Sequence, residues 1–433
     1  MAGELVMTLA LFATFIICIV IGIPITFSLG VAALAAIMAS DLSVIVIAQR
    51  VLPAIVDASV LVCIPLFILA GNVLSYGGMG DRLVSVANIL VGRSRGGLGS
   101  ANVLASMLFG GISGSAAADT SAVGSVMIPS MEKQGYDKAF ATAITVISSP
   151  LGAIIPPSII MIVYCWVTET SIASIFAAGY LPGLIIGGAM ILLGWIISVR
   201  KGYPIAPQTS WAEKVRIVAT ALPALAMPVM IIGGIVGGVA TATETAALAS
   251  VYGFLVSMYY YRELKWSAVP TILFETVKLT GVVLLIIAMA ALYGWLMAFD
   301  RVPFQVAELL GAMGLTPFAF LAVYVAMMIF LGCFLAPTEA LIIAVPILFP
   351  VAMQMGIDPL HFGIVSVTAL AFGHVSPPVG VCLFVGSAIS GLSLGRIIRA
   401  LLPFYVVIFG VLMLIAFYAP ITTLVPDLLG LSR

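Results

Sequence analysis

Long apolar runs with almost no charge are the feature that most constrains this chain. A run of about 20 such residues can cross the hydrocarbon core of a membrane as a helix. Only 8% of the 433 residues are charged and 63% are hydrophobic, too little charge to cover a water-exposed surface. We therefore predict an all-α, polytopic helical membrane protein in contact with the lipid bilayer. The predicted spans lie near 5–22, 138–166, 175–199, 217–236, 242–260, 268–298, 316–333 and 394–420.

Several other classes of protein are excluded by composition. The alternating segments of about 10 residues that mark an outer-membrane barrel are absent. No basic soluble domain is present, so nucleic acid is not an expected partner. The five cysteines lack C-x-x-C spacing, which argues against disulfides or a metal cluster. Charges among helically spaced apolar residues at 81–97 predict an amphipathic helix along the membrane surface.

The two halves of the chain match at a shift of 221 residues. Seven of the eleven Gly and Pro residues between 111 and 182 have the same residue type 221 positions later, without a gap. Composition alone would give about one such match, so the pattern predicts an internal duplication. The predicted units are a first repeat at 1–199, a linker at 200–216 and a second repeat at 217–433.

Basic residues are distributed differently in the two halves. None of the five basic residues between 82 and 138 falls on a basic residue after the shift. Because basic residues prefer cytoplasmic loops, equivalent loops are expected on opposite sides of the membrane. This predicts an inverted repeat, the layout of many secondary transporters. The four basic residues of 200–216 predict a cytoplasmic linker.

Both halves carry the same interruption, G-x-x-x-P-P, at 152–157 and 373–378. Proline removes a backbone donor and breaks the helical ladder. Non-helical backbone at membrane depth is tolerated only when it is buried in protein or lines a cavity. The freed carbonyl groups can then bind ions or polar groups of a substrate. The prolines of the two breaks are Pro156, Pro157, Pro377 and Pro378.

We predict two pseudosymmetric sodium sites, each completed by a segment upstream of the break, 109–124 or 330–340. Most ligands are expected to be backbone carbonyls, with hydroxyl groups from serine. The alternative is that the prolines only kink their helices, but two pairs in register favour ion binding. Predicted ligands of the first site are Gly111, Ser113, Gly152, Ile155 and Ser158. Predicted ligands of the second site are Gly332, Gly373, Ser376 and Val379.

Three segments resemble the large membrane subunit of tripartite ATP-independent periplasmic (TRAP) transporters. They are ISGSAAADTSAVGSVMIPSMEKQGYDKAFATAITVISSPLGAIIPPSIIMIVY at 112–164, GGVATATETAALA at 237–249 and GHVSPPVGVCLFVG at 373–386. The resemblance extends over nearly the whole chain. One departure is Ser376, where the family pattern leads us to expect Thr, although the hydroxyl group is kept.

The resemblance implies a fold of the ion transporter superfamily, with a scaffold, an elevator-type mobile domain and two re-entrant hairpins. It also implies sodium-driven uptake of an organic anion across the bacterial inner membrane. A periplasmic substrate-binding protein would deliver the anion, and a small four-helix membrane subunit on a separate chain would be the second partner. The substrate classes implied are C4-dicarboxylates, sialic acid and other sugar or keto acids.

Four polar residues are candidate substrate contacts, and each has a structural alternative. They are Ser115, Asp119, Thr338 and Glu339. Asp119 follows a Gly- and Ser-rich break, where either an N-cap or a cavity-facing carboxylate is expected. Glu339 also suits the first turn of a helix that starts at Pro337. No intramembrane Arg is placed to bind an anion, so helix N-termini and bound cations are expected to supply positive potential.

Other ionisable residues have simpler interpretations. Thr241 and Glu244 fit a capping box, and Glu275 and Lys278 are expected to pair on one helix. His374 lies in the second break, where it either carries protons or packs structurally; packing is favoured because its equivalent in the first half is alanine.

Three alternative functions fit the sequence less well than a sodium-coupled transporter. A passive channel fits poorly, since inverted repeats with broken helices suit alternating access. A membrane enzyme lacks a base or metal cluster, with no H-E-x-x-H and no catalytic residues assigned. A stand-alone organic-anion symporter of the same superfamily, without a binding protein, remains the nearest alternative.

Overall fold

The computed structural model describes residues 2–56, 59–91, 96–205, 210–312 and 314–431. These residues form 21 α-helices joined by short turns, and no strand occurs among them. The helices are α1 (Ala2–Ile21), α2 (Ile25–Met38), α3 (Ile45–Val56), α4 (Cys63–Tyr76), α5 (Met79–Val91), α6 (Gly97–Ser113), α7 (Ala116–Lys133), α8 (Lys138–Ser148), α9 (Leu151–Ile154), α10 (Ile159–Thr168), α11 (Ile172–Lys201), α12 (Trp211–Val236), α13 (Ala242–Leu255), α14 (Val269–Phe299), α15 (Val302–Ala312), α16 (Pro317–Phe334), α17 (Pro337–Gln354), α18 (Pro359–Gly373), α19 (Val381–Ser390), α20 (Leu394–Phe417) and α21 (Pro420–Leu428).

Six helical segments of the described chain are long and apolar enough to cross a membrane, or up to eight if each of two bent helix pairs is one span. The prediction of an all-α polytopic protein is confirmed. The six are 172–201, 211–236, 266–299, 317–334, 337–354 and 394–417.

The helix boundaries repeat at the spacing found in the sequence. Shifted by 221 residues, the starts of α6, α7, α8, α10 and α11 fall within one residue of the starts of α16, α17, α18, α19 and α20. After the same shift, the last residues of α6 and α7 fall on the last residues of α16 and α17. The duplicated pattern of Gly and Pro therefore corresponds to a duplicated pattern of helices.

Matching residues set these boundaries in both halves. Gly135 and Gly356 have φ of +87° and +74°, a conformation that glycine adopts without steric cost. Two residues later, the Asp137 carboxylate accepts a hydrogen bond from the Ala139 N–H at 3.1 Å, and the Asp358 carboxylate accepts one from the Leu360 N–H at 2.8 Å. Glycine thus ends one helix and aspartate caps the next.

The region before residue 97 differs most from the predicted spans. Helices α2, α3 and α4 were not predicted, because each has only 12 to 14 residues. The predicted amphipathic helix at 81–97 is found as α5, with Leu83, Val84 and Ala87 buried. Arg93 and Arg95 of that prediction lie outside the described residues, as do residues 206–209 of the predicted linker.

Two of the simpler interpretations can be compared with observed contacts. The capping box is confirmed, since the Thr241 hydroxyl accepts from the Glu244 N–H at 3.2 Å and Glu244 Oε2 accepts from the Thr241 N–H at 2.8 Å. The pairing of Glu275 with Lys278 was wrong. Glu275 instead accepts a hydrogen bond from the Tyr76 hydroxyl at 2.8 Å, because α4 packs beside α14 and presents its own donor.

Candidate functional site

In the first half, the end of α6 lies directly against the helix break. A Cβ atom added to Gly110 would lie 2.5 Å from the Gly152 Cα, so the two backbones touch where no side chain fits. A Cβ on Gly111 would lie 3.7 Å from the Pro156 carbonyl oxygen, and one on Gly114 would lie 3.1 Å from that of Pro157. Carbonyl groups of the break therefore border the end of α6.

Two serines complete this first cluster. The Ser113 Oγ is buried and has no hydrogen-bond partner. The Ser158 hydroxyl donates to the Ala153 carbonyl at 2.5 Å and accepts from the Met161 N–H at 3.5 Å, which caps α10. Ile155 ends α9 in an extended conformation, and its side chain packs towards Gly183 of α11. The residues predicted for the first sodium site are thus gathered around one break.

The second half has the same backbone contact. A Cβ atom on Gly373 would lie 2.6 Å from the Gly332 Cα. The Cys333 carbonyl accepts a hydrogen bond from the Gly380 N–H at 3.1 Å, which ties the end of α16 to the far side of the break. The Ser376 hydroxyl donates to the Phe372 carbonyl at 2.8 Å. Val379 is half-buried in the same break.

Asp119 occupies neither of the places expected from the sequence. The N-cap of α7 is Ser115, whose hydroxyl accepts from the Ala118 N–H at 3.4 Å, so the N-cap interpretation of Asp119 was wrong. Its side chain is fully buried, and neither carboxylate oxygen has a partner at hydrogen-bonding distance. The hydroxyl groups of Ser106 and Ser149 are its polar neighbours, and the Gly152 backbone lies beside it.

A cavity of about 260 Å³ lies where the two halves meet. Its lining comes from the α6–α7 turn, the α16–α17 turn, both helix breaks and one side of α14. The residues that line it are Gly114, Ser115, Ala116, Ala153, Ile159, Ile160, Leu279, Val282, Val283, Ile286, Ala336, Pro337, Thr338, Glu339, Ala371 and His374. Three of the four candidate substrate contacts are in this set, and Asp119 is not.

The electrostatics of the cavity come from helix N-termini and from the Glu339 side chain. The first residues of α7, α10 and α17 line it, and a helix N-terminus carries a partial positive charge. None of the described residues in its lining is Lys or Arg. Glu339 Oε2 accepts a hydrogen bond from the Ala336 N–H at 3.3 Å, as expected for the first turn of α17. The helix N-termini can bind an anion without a basic side chain, whereas the Glu339 carboxylate opposes it.

The two histidines have different surroundings. In His361, Nδ1 pairs with the Thr422 hydroxyl at 2.9 Å and Nε2 with the Ala416 carbonyl at 3.0 Å, so both ring nitrogens are used within the protein. His374 lines the cavity, and its Nε2 is buried without a partner. The apolar wall from α14 was missed, because aliphatic residues on a membrane helix give no signal that they face a substrate.

Comparison with known proteins identifies the family of this chain. The family model described as the tripartite ATP-independent periplasmic transporter, DctM component, matches residues 12–421. The chain belongs to this family.

Relatives of this TRAP family chain cover nearly its whole length. The C4-dicarboxylate TRAP transporter large permease protein DctM of Pseudomonas aeruginosa is 40% identical over 86% of this chain and 87% of its own. The sialic acid TRAP transporter large permease protein SiaM of Vibrio cholerae is 35% identical, over 94% of this chain and 95% of its own. In fold, the chain is similar to the YdaH transporter of Alcanivorax borkumensis, with a TM-score of 0.64 at 13% identity over 86% of this chain and 88% of that one.

Several predictions are confirmed by membership of the TRAP family. The resemblance found in the sequence is correct, and the protein is a transport permease rather than an enzyme. It is an integral, multi-pass protein of the bacterial inner membrane.

Proposed function

We propose that this TRAP permease is the large membrane subunit of a sodium-coupled symporter for a small organic anion. The observation that supports it is the cavity between the two breaks, which three helix N-termini approach and no described Lys or Arg lines. A buried anion needs hydrogen bonds and a compensating positive charge. Cotransported cations supply that charge when the protein has no basic side chain at the cavity.

We propose that sodium ions bind at the two breaks. At the first, we propose ligands from Gly111, Ser113, Gly152, Ile155 and Ser158. Support comes from the Ser113 Oγ, a buried polar atom without a partner, which is costly unless a ligand binds it. Hard cations of this kind take oxygen ligands, including backbone carbonyls.

At the second break, we propose ligands from Gly332, Gly373, Ser376 and Val379. The Ser376 hydroxyl uses its hydrogen in a bond to the Phe372 carbonyl, which leaves its oxygen lone pairs available to a cation. The matching Gly–Gly contact supports the idea that the two sites are related by the repeat.

The wider arrangement follows from the same features. We propose that 1–199 and 217–433 are inverted repeats around a cytoplasmic linker, that α6–α7 and α16–α17 are the re-entrant hairpins, and that the protein works by an elevator-type motion. Proteins of the family work with a small membrane subunit and a periplasmic binding protein. We propose that both act with this chain, the small subunit as a separate polypeptide.

Uptake into proteoliposomes tests this function. The chain would be reconstituted with the small subunit and the binding protein, and a panel of organic acids offered with and without an inward sodium gradient. We expect uptake only when both sodium and the binding protein are present. Uptake that ignores sodium would refute the cation sites, and sodium-driven uptake without the binding protein would favour a stand-alone symporter.

A further inference from the structure

An apolar cavity, separate from the central one, borders the second helix break. It has a volume of about 390 Å³ and lies between α16, α18 and α20. Helix α20 lines it with six side chains at helical spacing, which form a stripe on one side of the helix. The residues of this stripe are Ile398, Leu402, Tyr405, Ile408, Phe409 and Leu412.

The lining of the apolar cavity offers no donor to a polar ligand. Its two hydroxyl groups are those of Ser376 and Tyr405. The Ser376 hydroxyl donates to the Phe372 carbonyl at 2.8 Å, and the Tyr405 hydroxyl donates to the Val375 carbonyl at 2.5 Å. A carboxylate or phosphate placed inside would lose its hydration and gain no hydrogen bond. The cavity therefore suits a hydrocarbon chain.

The apolar cavity has a buried floor and an exposed rim. Phe372 and Leu412 on the floor are 3% and 1% exposed, whereas Leu402 and Phe409 on the rim are 56% and 53% exposed. Because α20 is long and apolar enough to cross a membrane, these rim side chains lie in the hydrocarbon core of the bilayer. The cavity is thus open to lipid.

The length of the α20 stripe fits an acyl chain. At a rise of about 1.5 Å per residue, the 14 positions from Ile398 to Leu412 extend over about 20 Å. One leaflet contributes about 15 Å to the hydrocarbon core. A chain that enters beside the start of α20 can therefore lie along the stripe for the full depth of its leaflet.

In the first half, protein fills the corresponding space. The positions equivalent to Ile408 and Phe409 are Gly187 and Gly188. A Cβ atom added to Gly187 would lie 2.5 Å from the Met107 Sδ, so the side chain of α6 packs directly on α11. The repeated backbone does not require an open cavity, and the opening is particular to the second half.

A basic side chain lies at the start of the stripe. Arg399 follows Ile398 directly and is three residues before Leu402, so it flanks the exposed rim. It is exposed, and it forms no ion pair or side-chain hydrogen bond with the residues that the structure describes. In the second turn of a membrane-spanning helix, an arginine extends towards the lipid head groups. Arginine also binds phosphate well.

We propose that the apolar cavity between α16, α18 and α20 is a binding site for an anionic phospholipid of the bilayer. One acyl chain lies on the α20 stripe, and the phosphate of the head group binds Arg399. Arg396 lies on the other side of α20, two residues before Ile398, and does not take part. The site depends on membrane insertion and not on sodium coupling, so it stands or falls independently of the proposed function.

Titration of phospholipid onto the purified, delipidated full-length chain in detergent tests the proposal. Native mass spectrometry counts the bound molecules, and the Tm gives the apparent Kd. We expect one phosphatidylglycerol per chain and a saturable rise in Tm, with an apparent Kd about fivefold or more below that of zwitterionic phosphatidylcholine. Glycerol phosphate, a head group without chains, is expected to have no effect. An equal rise with glycerol phosphate, or an equal Kd for phosphatidylcholine, would overturn the proposal.

A matched pair of variants locates the acyl chain. Ala326→Trp fills the apolar cavity from its exposed α16 wall, whereas Val406→Trp adds the same side chain at an exposed α20 position outside the lining. We expect Ala326→Trp to raise the apparent Kd for phosphatidylglycerol about tenfold or more and Val406→Trp to leave it nearly unchanged, since only the first removes buried hydrocarbon contact. Leu402→Ser, on the exposed rim, is the second variant and should raise the Kd about threefold. Unchanged binding in both cavity variants would overturn the site.

A second pair locates the head group. Arg399→Gln is expected to raise the apparent Kd about fivefold, the effect of one basic residue close to an anionic lipid, and Arg396→Gln by less than about twofold. Equal effects would indicate a general attraction to the membrane surface and overturn the contact with Arg399. Displacement of the lipid by the small membrane subunit would also overturn the proposal, because a protein segment would then be the occupant.

Discussion

The two helix breaks share a backbone plan but differ in their surroundings. Pro156 and Pro157 are buried, whereas Pro377 and Pro378 are exposed. The helix after the first break is capped by the Ser158 hydroxyl, while the helix after the second begins at Val381, and its N-cap residue Gly380 has no side chain to cap it. A duplicated chain can thus keep two breaks with a similar backbone and still expose them to different extents. We expect the first break to be the more rigid of the two.

Different groups steady each break. The first is surrounded by protein and has the buried Asp119 beside Gly152. The second borders an apolar cavity of about 390 Å³ between α16, α18 and α20, and the Tyr405 hydroxyl donates to the Val375 carbonyl at 2.5 Å. At the position equivalent to Tyr405, the first half has Leu184. One break is held by burial and the other by a specific tether.

The largest effect is expected when a side chain is inserted between the two backbones that touch at the first break. Gly110→Val puts a side chain where even a Cβ would lie 2.5 Å from the Gly152 Cα. We expect destabilisation of about 3 kcal/mol or more from overpacking, with loss of monodisperse protein in size-exclusion chromatography and of uptake. Gly188→Ala is the control, since nothing lies within 4 Å of its added Cβ. Normal folding of Gly110→Val would show that the contact is dispensable.

Removing the unpaired hydroxyl at the first break should act on sodium more than on folding. Because the Ser113 Oγ has no partner in the protein, Ser113→Ala costs no internal hydrogen bond. We expect the sodium concentration for half-maximal uptake to rise about tenfold, the loss of one ligand to a charged group, with an unchanged Tm in the absence of sodium. An unchanged sodium requirement would remove Ser113 from the proposed site.

The corresponding change at the second break should be milder. The Ser376 hydroxyl already bonds to the Phe372 carbonyl, so Ser376→Ala removes both that bond and the proposed cation ligand. We expect the sodium requirement to rise about threefold, since a half-buried ligand next to exposed prolines competes with water, together with a small fall in Tm. Ser376→Thr, which keeps the hydroxyl, is the matched control. A larger effect than that of Ser113→Ala would reverse the ranking of the two breaks.

The smallest effect is expected at the tether of the second break. Tyr405→Phe deletes the hydroxyl that bonds to the Val375 carbonyl and keeps the ring. We expect a loss of about 1 kcal/mol, the net value of one hydrogen bond, seen as a slightly lower Tm of the purified protein. Tyr418→Phe is the control, because that exposed side chain has no such bond in the described structure. Equal Tm values for the two variants would mean that the tether contributes nothing.

Much of the fold could be predicted because glycine and proline act through the backbone. Gly135 can adopt a positive φ that other residues avoid, and Pro157 has a fixed φ and no N–H, whatever either residue packs against. The repeat of 221 residues therefore carried over to the helix starts. The capping box at Thr241 was predictable for the same reason, since its partner is three residues away.

Features that depend on distant contacts were not predictable in this way. Asp119 lies at a helical position whose direction is set by α6 and α8, so the sequence could not say that it is buried away from the cavity. Glu275 has two possible partners, and only packing shows that Tyr76 is the one it meets. Leu279 and Val283 resemble any lipid-facing residues until the cavity is seen. Helices α2 to α4 were missed because they are shorter than a single span.

The Gly–Gly contacts determine how closely each break is linked to the helix end beside it. With no side chain between Gly110 and Gly152, or between Gly332 and Gly373, there is no compressible layer to absorb a displacement of one backbone relative to the other. A shift of a break on binding an ion would move the neighbouring hairpin end almost one for one. The segments that border the cavity would then change position together with the ion sites, and an empty site would leave the hairpin in a different place from an occupied one. In the proposed symporter, glycine at these four positions would link sodium binding to the position of the hairpin ends, which would oppose the crossing of sodium without its cargo.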